Sequence, residues 1–219
     1  MTRSTEQLSP ALHAYLVAHS SPVDAVLAAL AEETAQRFPE DQGLQIGPEQ
    51  GTFMTLLTRL SGARHGIEVG TFTGYSSICI AQGLPADGHL ICCDVSAEWT
   101  SVARAYWDKA GVADRVELQL GPAIGTLRAL PADAAFDIAF IDADKTGYTG
   151  YWDEIVPRIR PGGIILVDNT FSHARVIDAA ERSETVQAIR DFNDHAVADY
   201  RVELVMLPIG DGLTLARRK

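Results

Sequence analysis

Three side chains at the ends of two apolar runs are the residues best suited to chemistry. Asp142 ends a run that begins at Phe136, and Asp168 and Asn169 end another. If the two runs form neighbouring parallel strands, these side chains converge at one edge of the sheet. Three hard oxygen donors without Cys or His suit Mg²⁺, or else Ca²⁺ or Mn²⁺, rather than zinc. The alternative is that the carboxylates only cap the helices that follow.

A glycine-containing turn follows an earlier apolar run, in the sequence Glu68-Val-Gly-Thr-Phe-Thr-Gly74. Gly70 and Gly74 allow a tight turn and a close approach of a ligand, although they could serve a strand–helix turn alone. A pyrophosphate-binding turn would read G-x-G-x-x-G, whereas the bulky Phe72 stands where its second glycine is needed. S-adenosylmethionine (SAM) has no phosphate, and its sulfonium and amino-acid tail suit the nearby Glu68 carboxylate. The turn therefore favours SAM over a nicotinamide cofactor.

An acidic residue, Asp94, ends the next apolar run, 24 residues beyond Gly70. An acid in this place can accept both hydroxyl groups of a ribose, as it does in dinucleotide-binding folds. The alternative is that Asp94 only caps the helix that begins near Ser96.

A lysine, Lys145, stands three residues after Asp142. Beside a metal ion and a sulfonium cation, a lysine should lose its proton more easily than a free lysine, because nearby positive charge disfavours the ammonium form. It could then act as a general base. The alternative is a surface lysine that balances the charge of Asp144.

The spacing of apolar residues predicts the elements that position these side chains. Short apolar runs alternate with helical segments, which indicates parallel strands joined by right-handed crossovers. The predicted fold class is α/β, a Rossmann-like doubly wound sheet of seven mostly parallel strands with an antiparallel C-terminal hairpin and extra N-terminal helices. The predicted strands are 66–70, 89–95, 115–121, 136–142, 162–169, 201–207 and 212–218. The predicted helices are 12–19, 22–37 with Ser21 as its cap, 50–61, 75–83, 97–110, 123–130, 148–159 and 184–198.

The whole chain sets further bounds. We expect one domain over 1–219, in which N-terminal helices over about 1–61 form a cap and about 62–219 form the Rossmann-like core. The net charge of -11 argues against a nucleic-acid partner. No apolar run reaches the roughly 20 residues that span a bilayer, and the first residues lack an apolar signal core. The three cysteines lack metal-binding spacing, which indicates reduced core thiols and a cytoplasmic location.

Several motifs together resemble one enzyme family. They are Glu68-Val-Gly-Thr-Phe-Thr-Gly-Tyr-Ser76, Phe140-Ile-Asp-Ala-Asp-Lys145, Pro161-Gly-Gly163, Asp168-Asn169 and Gly210-Asp-Gly-Leu-Thr214. Their order from about residue 40 to the end is similar to that of the caffeoyl-CoA and catechol O-methyltransferase family of class I, SAM-dependent enzymes.

This resemblance implies roles for individual residues. The positions that would contact SAM are Glu68, Gly70, Ser76, Asp94, Ala123, Asp142 and Tyr151. It implies that Asp142, Asp168 and Asn169 are the metal ligands and that Lys145 is the catalytic base. It also implies a homodimer whose N-terminal helices lie near the substrate mouth.

One segment departs from the family pattern. After Asp168-Asn169, plant-type members have a leucine–tryptophan segment followed by glycine, whereas this chain reads Thr170-Phe-Ser-His-Ala-Arg175. Because the segment should help to wall the substrate pocket, the substrate cannot be transferred from the family. His173 or Arg175 could meet an anionic acceptor or could face solvent.

The sequence thus predicts a SAM- and divalent-metal-dependent O-methyltransferase that acts on a small catechol-like diol. An alternative acceptor is a hydroxyacyl group bound as a thioester or to a carrier protein. Two other classes stay open at this point, a nicotinamide-dependent oxidoreductase and a SAM- or nucleotide-binding protein without catalysis. The lack of a phosphate-binding turn disfavours the oxidoreductase. The predicted metal ligands, together with Lys145, disfavour a protein that only binds its ligand.

Overall fold

A seven-stranded sheet forms the centre of the computed structural model, which describes residues 8–133 and 135–219. The strands are β1 (His65–Val69), β2 (His89–Asp94), β3 (Val116–Leu120), β4 (Phe136–Ile141), β5 (Ile159–Val167), β6 (Val202–Leu207) and β7 (Leu213–Arg218). They lie in the order β3-β2-β1-β4-β5-β7-β6. The first five are parallel, and β7 is antiparallel to both β5 and β6. The predicted fold class, including the C-terminal hairpin, is confirmed.

The strand order reverses at β1, which pairs with β2 on one side and β4 on the other. In such sheets the ligand crevice lies outside the carboxyl ends of the strands at this reversal. The register pairs Ile141 of β4 with Val167 of β5, so the next residues, Asp142 and Asp168, emerge side by side. Their backbones are held by hydrogen bonds from Asp142 N to Val69 O (2.8 Å) and from Asp168 N to Ile141 O (3.0 Å). The predicted convergence of the two carboxylates is therefore a product of strand register.

Helices cover both faces of the sheet. They are α1 (Pro10–Ala18), α2 (Ala25–Arg37), α3 (Pro48–Leu60), α4 (Tyr75–Gly83), α5 (Ala97–Lys109), α6 (Ala123–Ala129), α7 (Tyr148–Ile155) and α8 (Glu184–Ala198). One apolar core joins the sheet to α2 through α5, and a second joins it to α6 through α8. None of the helices in the described residues is long and apolar enough to cross a membrane.

The predicted start of the second helix was wrong. The helix begins at Ala25 rather than at Pro22, and its cap is Asp24 rather than Ser21. The Asp24 carboxylate accepts a hydrogen bond from Val26 N at 2.7 Å, which satisfies one of the free N–H groups of the first turn. Proline is tolerated at a helix start, but it does not create one where a better cap follows.

Two other boundaries differ from the prediction by three or more residues. The helix after Tyr148 ends at Ile155, and a short 3₁₀ turn over Val156–Arg158 replaces its last residues. Pro157 explains this ending, since proline lacks the N–H that a further helical turn requires. The next strand then begins at Ile159, earlier than expected, and its pairing with β4 has a register irregularity between Phe136 and Ile138.

The turn after β1 supplies a test of the fold. Gly70 has φ +92°, and a Cβ there would overlap the backbone oxygen of Asp142, whereas Gly111 has φ +65° and open space around it. An alanine in the left-handed region costs about 1–2 kcal/mol, which both variants should show. Gly70→Ala should lose about 1–3 kcal/mol more, because two backbone segments must separate. Urea unfolding of Gly70→Ala and Gly111→Ala measures the difference, and equal losses would contradict the close approach.

Candidate active site

A cavity of about 850 Å³ opens at the carboxyl ends of the strands. It is lined by nearly all the residues that the sequence singles out: Gly70, Ser76, Asp94, Ala123, Asp142, Lys145, Tyr151, Asp168 and Asn169. The N-terminal part of the chain contributes residues 43–47 and Gln50 to the same wall. The predicted site residues therefore share one cavity that the N-terminal helices help to close.

Asp94 organises the turn on the cofactor side of the cavity. Its Oδ2 accepts hydrogen bonds from Thr71 N (2.9 Å) and Phe72 N (2.8 Å), and its Oδ1 accepts one from Ser96 N (2.8 Å). Ser96 itself caps α5, since its hydroxyl accepts from Trp99 N, so the capping alternative for Asp94 is wrong. Three of the roughly four acceptor positions of the carboxylate are taken, which leaves one on Oδ1 for a ribose hydroxyl.

The same bonds bear on the choice of cofactor. In a dinucleotide-binding fold, backbone N–H groups of this turn face a pyrophosphate. Here the N–H groups of Thr71 and Phe72 already donate to the carboxylate of Asp94, so these two groups are not available to a bound pyrophosphate. Phe72 has φ +50° and packs its ring edge-on to Trp99, with centroids 5.0 Å apart. The side chain that disfavoured a nicotinamide cofactor is thus part of the cavity wall.

Glu68 lies behind the cavity wall rather than in it. The side chain is fully buried on the face of β1 that carries α4, and it is level with Cys92 and Phe140 on the neighbouring strands. Neither carboxyl oxygen has a hydrogen-bond partner in the described residues. Burial raises the pKa of Glu68 to about 7. Its contact with the amino-acid tail of SAM stays a prediction.

Lys145 connects the acidic residues at the other end of the cavity. Its Nζ donates to Asp142 Oδ1 (2.8 Å), Asn169 Oδ1 (2.6 Å) and the Tyr148 hydroxyl (2.7 Å). These three bonds use all the donors of an ammonium group. Asp144 instead accepts from the hydroxyl of Tyr151, so Lys145 is not a surface lysine that balances Asp144.

Asp168 is held from two sides. Its Oδ2 accepts from Gln50 Nε2 (2.8 Å) and its Oδ1 from Asn169 N (2.7 Å). Burial, followed by the negative charge of Asp142, raises the pKa of Asp168 to about 7, and the two hydrogen bonds only partly oppose this. Neither Asp142 nor Asp168 caps a helix, because the helical segments that follow them have Asp144, Gly147 and Ala174 as their cap residues, without any side-chain bond.

Sequence reasoning missed Gln50 and Tyr148. Gln50 is 118 positions from Asp168 and belongs to α3, so only the packing of this helix brings the two together. Tyr148 is buried, accepts from Lys145 and donates to Asp168 O at 3.2 Å. Its position three residues after Lys145 puts it one helical turn away, which is the signal that could have identified it.

The wall formed by residues 170–175 takes an unusual backbone path. Ser172, His173 and Ala174 all have φ between +48° and +60°, a region that costs non-glycine residues energy. The path is fixed by hydrogen bonds from Phe171 N to Asp211 O (2.9 Å) and from His173 N to Asp211 Oδ1 (2.5 Å). Ser172, His173 and Arg175 line the cavity, as the sequence predicted for this segment.

The doubly wound sheet, the phosphate-free turn and the shared cavity define the class of a SAM-dependent methyltransferase. Comparison with known proteins agrees, since the O-methyltransferase family model matches residues 17–219. The chain belongs to this family and is a SAM-dependent O-methyltransferase of the caffeoyl-CoA and catechol type.

Individual relatives cover most of the chain. It is 38% identical to "Probable caffeoyl-CoA O-methyltransferase 1" of Dictyostelium discoideum, over 93% of this chain and 90% of that protein. It is 37% identical to mouse "Catechol O-methyltransferase domain-containing protein 1", over 77% of this chain and 65% of that protein. An O-methyltransferase from Bacillus cereus, solved with S-adenosylhomocysteine (SAH), superposes with a TM-score of 0.87 at 31% identity, covering 95% of this chain and 97% of that one.

The buried carboxyl of Glu68 predicts a dependence of stability on pH. Its pKa rises from 4.5 to about 7 on folding, so its contribution to stability is present below pH 4.5 and is lost as the pH rises through 7. At about 1.4 kcal/mol per pKa unit, Glu68→Gln should stabilise the SAM-free protein by up to about 3 kcal/mol at pH 8 and by less than about 1 kcal/mol at pH 5. Urea unfolding at both pH values measures this, with the exposed Glu40→Gln as control. An equal effect at pH 5 and pH 8 would contradict an ionising Glu68.

Proposed function

We propose that this enzyme transfers the methyl group of SAM to one hydroxyl of an aromatic vicinal diol and that it requires a divalent cation, preferably Mg²⁺. The observation that carries the proposal is the convergence of Asp142, Asp168, Asn169 and Lys145 at one end of the cavity. The cofactor positions Gly70, Ser76, Asp94, Ala123 and Tyr151 line the remainder of that cavity.

The donor set fits a hard cation. No three His, Cys, Asp or Glu side chains form a metal-binding cluster in the described residues, and the set here is two carboxylates and one amide. A cationic group, the Lys145 ammonium, already lies between Asp142 Oδ1 and Asn169 Oδ1. Two neighbouring carboxylates, one of them buried, make a position where positive charge is stabilised, and oxygen donors are those that Mg²⁺ prefers. A divalent cation held there would stabilise negative charge on the acceptor oxygen as a Lewis acid.

The chain's own residues supply the remaining roles. Gln50 fixes the Asp168 carboxylate through Oδ2, and strand register fixes its distance from Asp142. Lys145 is an ammonium while it donates to Asp142 and Asn169, so it must first release its own proton to solvent once these two acceptors are engaged elsewhere. The neutral amine can then accept the hydroxyl proton. Much of the rate gain should come from holding the acceptor oxygen and the SAM methyl group in line within one cavity.

The number of protein ligands favours a diol as the acceptor. Three oxygen ligands leave about half of a six-coordinate shell free, and two adjacent hydroxyl oxygens suit the free positions. A lone phenol offers a single oxygen, which would be aimed less firmly at the methyl group.

Exposed apolar residues support a homodimer as part of the proposal. Helix α1 has no buried residue, yet Leu12, Tyr15 and Leu16 all expose more than a third of their surface. A second copy over this face would remove that surface from water.

The free, buried cysteines support the proposed cytoplasmic location.

The acceptor proposal predicts a clear preference. With Mg²⁺ present, kcat/KM for a catechol should exceed that for its matched monophenol by on the order of 10²-fold, because the monophenol loses alignment. Chelation with EDTA should abolish catechol turnover, and Mg²⁺ should restore it. Steady-state methyl transfer from radiolabelled SAM measures both. Equal constants for the two acceptors would refute the diol proposal, and full activity after exhaustive chelation would refute the cation.

The proton-transfer role predicts the effect of replacing Lys145. Lys145→Ala should lower kcat on a neutral catechol by roughly 10²–10⁴-fold, the usual range for a general base. The loss should shrink for catechols that are already ionised at the assay pH. Lys109→Ala, a surface lysine of α5, serves as control, and SAH affinity should be unchanged in both variants. If kcat of the Lys145→Ala enzyme on a neutral catechol were within a few-fold of the parent value, Lys145 would not be the base.

A further inference from the structure

The rim of the cavity carries an arginine whose charge the proposed reaction does not use. Arg175 lines the cavity beside Ser172 and His173, at the end where Thr185 and Ile189 of α8 also line it. The Lys145 ammonium is paired with Asp142, and Asp211 faces the His173 ring at 3.4 Å. No carboxylate of the described residues forms an ion pair with Arg175, and the exposed Glu181 interacts with its charge only from a longer distance.

The guanidinium group is nevertheless held in place. Its Nε donates to Ser172 O (3.0 Å) and its Nη2 donates to Ser172 Oγ (3.2 Å). Nη1 makes no hydrogen bond within the described residues, and each terminal nitrogen has two N–H groups. Three terminal N–H groups of a fixed, planar fork thus stay available, and this geometry matches a carboxylate.

The backbone that carries Arg175 is fixed as well. Arg190 of α8 donates to the carbonyl oxygens of Arg175 (3.0 Å), Val176 (2.9 Å), Asp178 (2.5 Å) and Glu181 (2.9 Å). One side chain therefore ties the whole loop to a helix. A fixed arginine loses less entropy on binding an anion than a mobile surface side chain would.

We propose that Arg175 binds a carboxylate at the end of the acceptor opposite its diol, so that the preferred acceptor is an anionic aromatic diol. This inference rests on the proposed function and deepens it. The chain has a net charge of -11, and aspartates outnumber the basic residues Lys145 and Arg175 among the charged residues that line the cavity. An anionic acceptor therefore needs a specific cation at the entrance. Arg175 is exposed at the rim, where an entering molecule meets it first.

The distance between Arg175 and the acidic cluster suits such an acceptor. Ser172 N donates to Asn169 O (3.1 Å), so the chain makes a single turn between these residues, which spans less than about 7 Å between their Cα atoms. The guanidinium group is bonded directly to Ser172. The separation from Asn169 is then on the order of 10 Å, about the length of an aromatic ring with a short acidic side chain.

The test compares two acceptors that differ only in charge, 3,4-dihydroxybenzoate and 3,4-dihydroxybenzamide. Calorimetric titration into the SAH- and Mg²⁺-loaded protein should show the acid binding at least about 10-fold more tightly, the effect of charge-assisted hydrogen bonds. Arg175→Gln should remove this advantage and leave amide affinity within a few-fold. Added salt should reduce the advantage in the parent protein. Arg182→Gln, which removes an exposed charge from the same loop outside the cavity lining, should preserve it.

The outcomes separate this inference from the proposed function. Turnover of the amide with Mg²⁺ tests diol methylation by itself, whereas the acid-to-amide ratio tests Arg175. A ratio near one in the parent, or a ratio unchanged in Arg175→Gln, would overturn the carboxylate assignment. If Arg175→Gln weakens both acceptors equally, its bonds to Ser172 only support the wall, and the assignment also fails. A loss confined to the coenzyme A thioester of the acid would assign Arg175 to phosphate and overturn it as well.

Discussion

The repulsion between two carboxylates at the ends of adjacent parallel strands is the constraint on which the site depends. The pairing of Ile141 with Val167 leaves Asp142 and Asp168 no freedom to separate, and burial of Asp168 removes the water that would weaken their repulsion. Protonation of Asp168, whose pKa is raised to about 7, relieves this repulsion, and so does positive charge between or beside the two carboxylates. The Lys145 ammonium meets this need in the structure, and the proposed divalent cation would meet it during the reaction.

On the other side of the cavity, the tight turn after β1 is stabilised by a carboxylate of the protein rather than by a bound phosphate. Asp94 does so by accepting the N–H groups of Thr71 and Phe72 that a pyrophosphate would otherwise take. The Phe72 ring packs between Phe38, the residue that follows α2, and Trp99 of α5, with ring centroids 6.1 and 5.0 Å away. The turn after β1, the end of α2 and the cavity wall thus depend on one another.

The sequence predicts the scaffold well because strand ends and helix starts are local features. The helices Tyr75–Gly83 and Glu184–Ala198 have the bounds that their apolar spacing indicates, and Asp94, Asp142 and Asp168 lie at the predicted strand ends. The cap at Asp24 and the break at Pro157 were missed because two local signals competed, and the sequence does not rank them.

What the sequence could not predict depends on packing between distant segments. The bond from Gln50 to Asp168 requires α3 to pack beside the end of β5, and the burial of Glu68 behind its strand depends on which face of β1 receives α4. The three bonds of Lys145 likewise need β4, β5 and the turn before α7 in their final arrangement. Residue types alone therefore suggested a base and metal ligands, whereas the ion pair that joins them came from the fold.

The most direct test of the proposed cation site is a crystal structure of the SAH complex grown with Mn²⁺ and measured at the manganese absorption edge. We expect one anomalous peak bound by Asp142, Asp168 and Asn169, with Lys145 Nζ moved away from Asp142 and Asn169. Mn²⁺ is the suitable probe because it prefers the same oxygen donors as Mg²⁺ and scatters anomalously. A map without this peak, in which Lys145 still bridges Asp142 and Asn169, would contradict the cation-dependent mechanism.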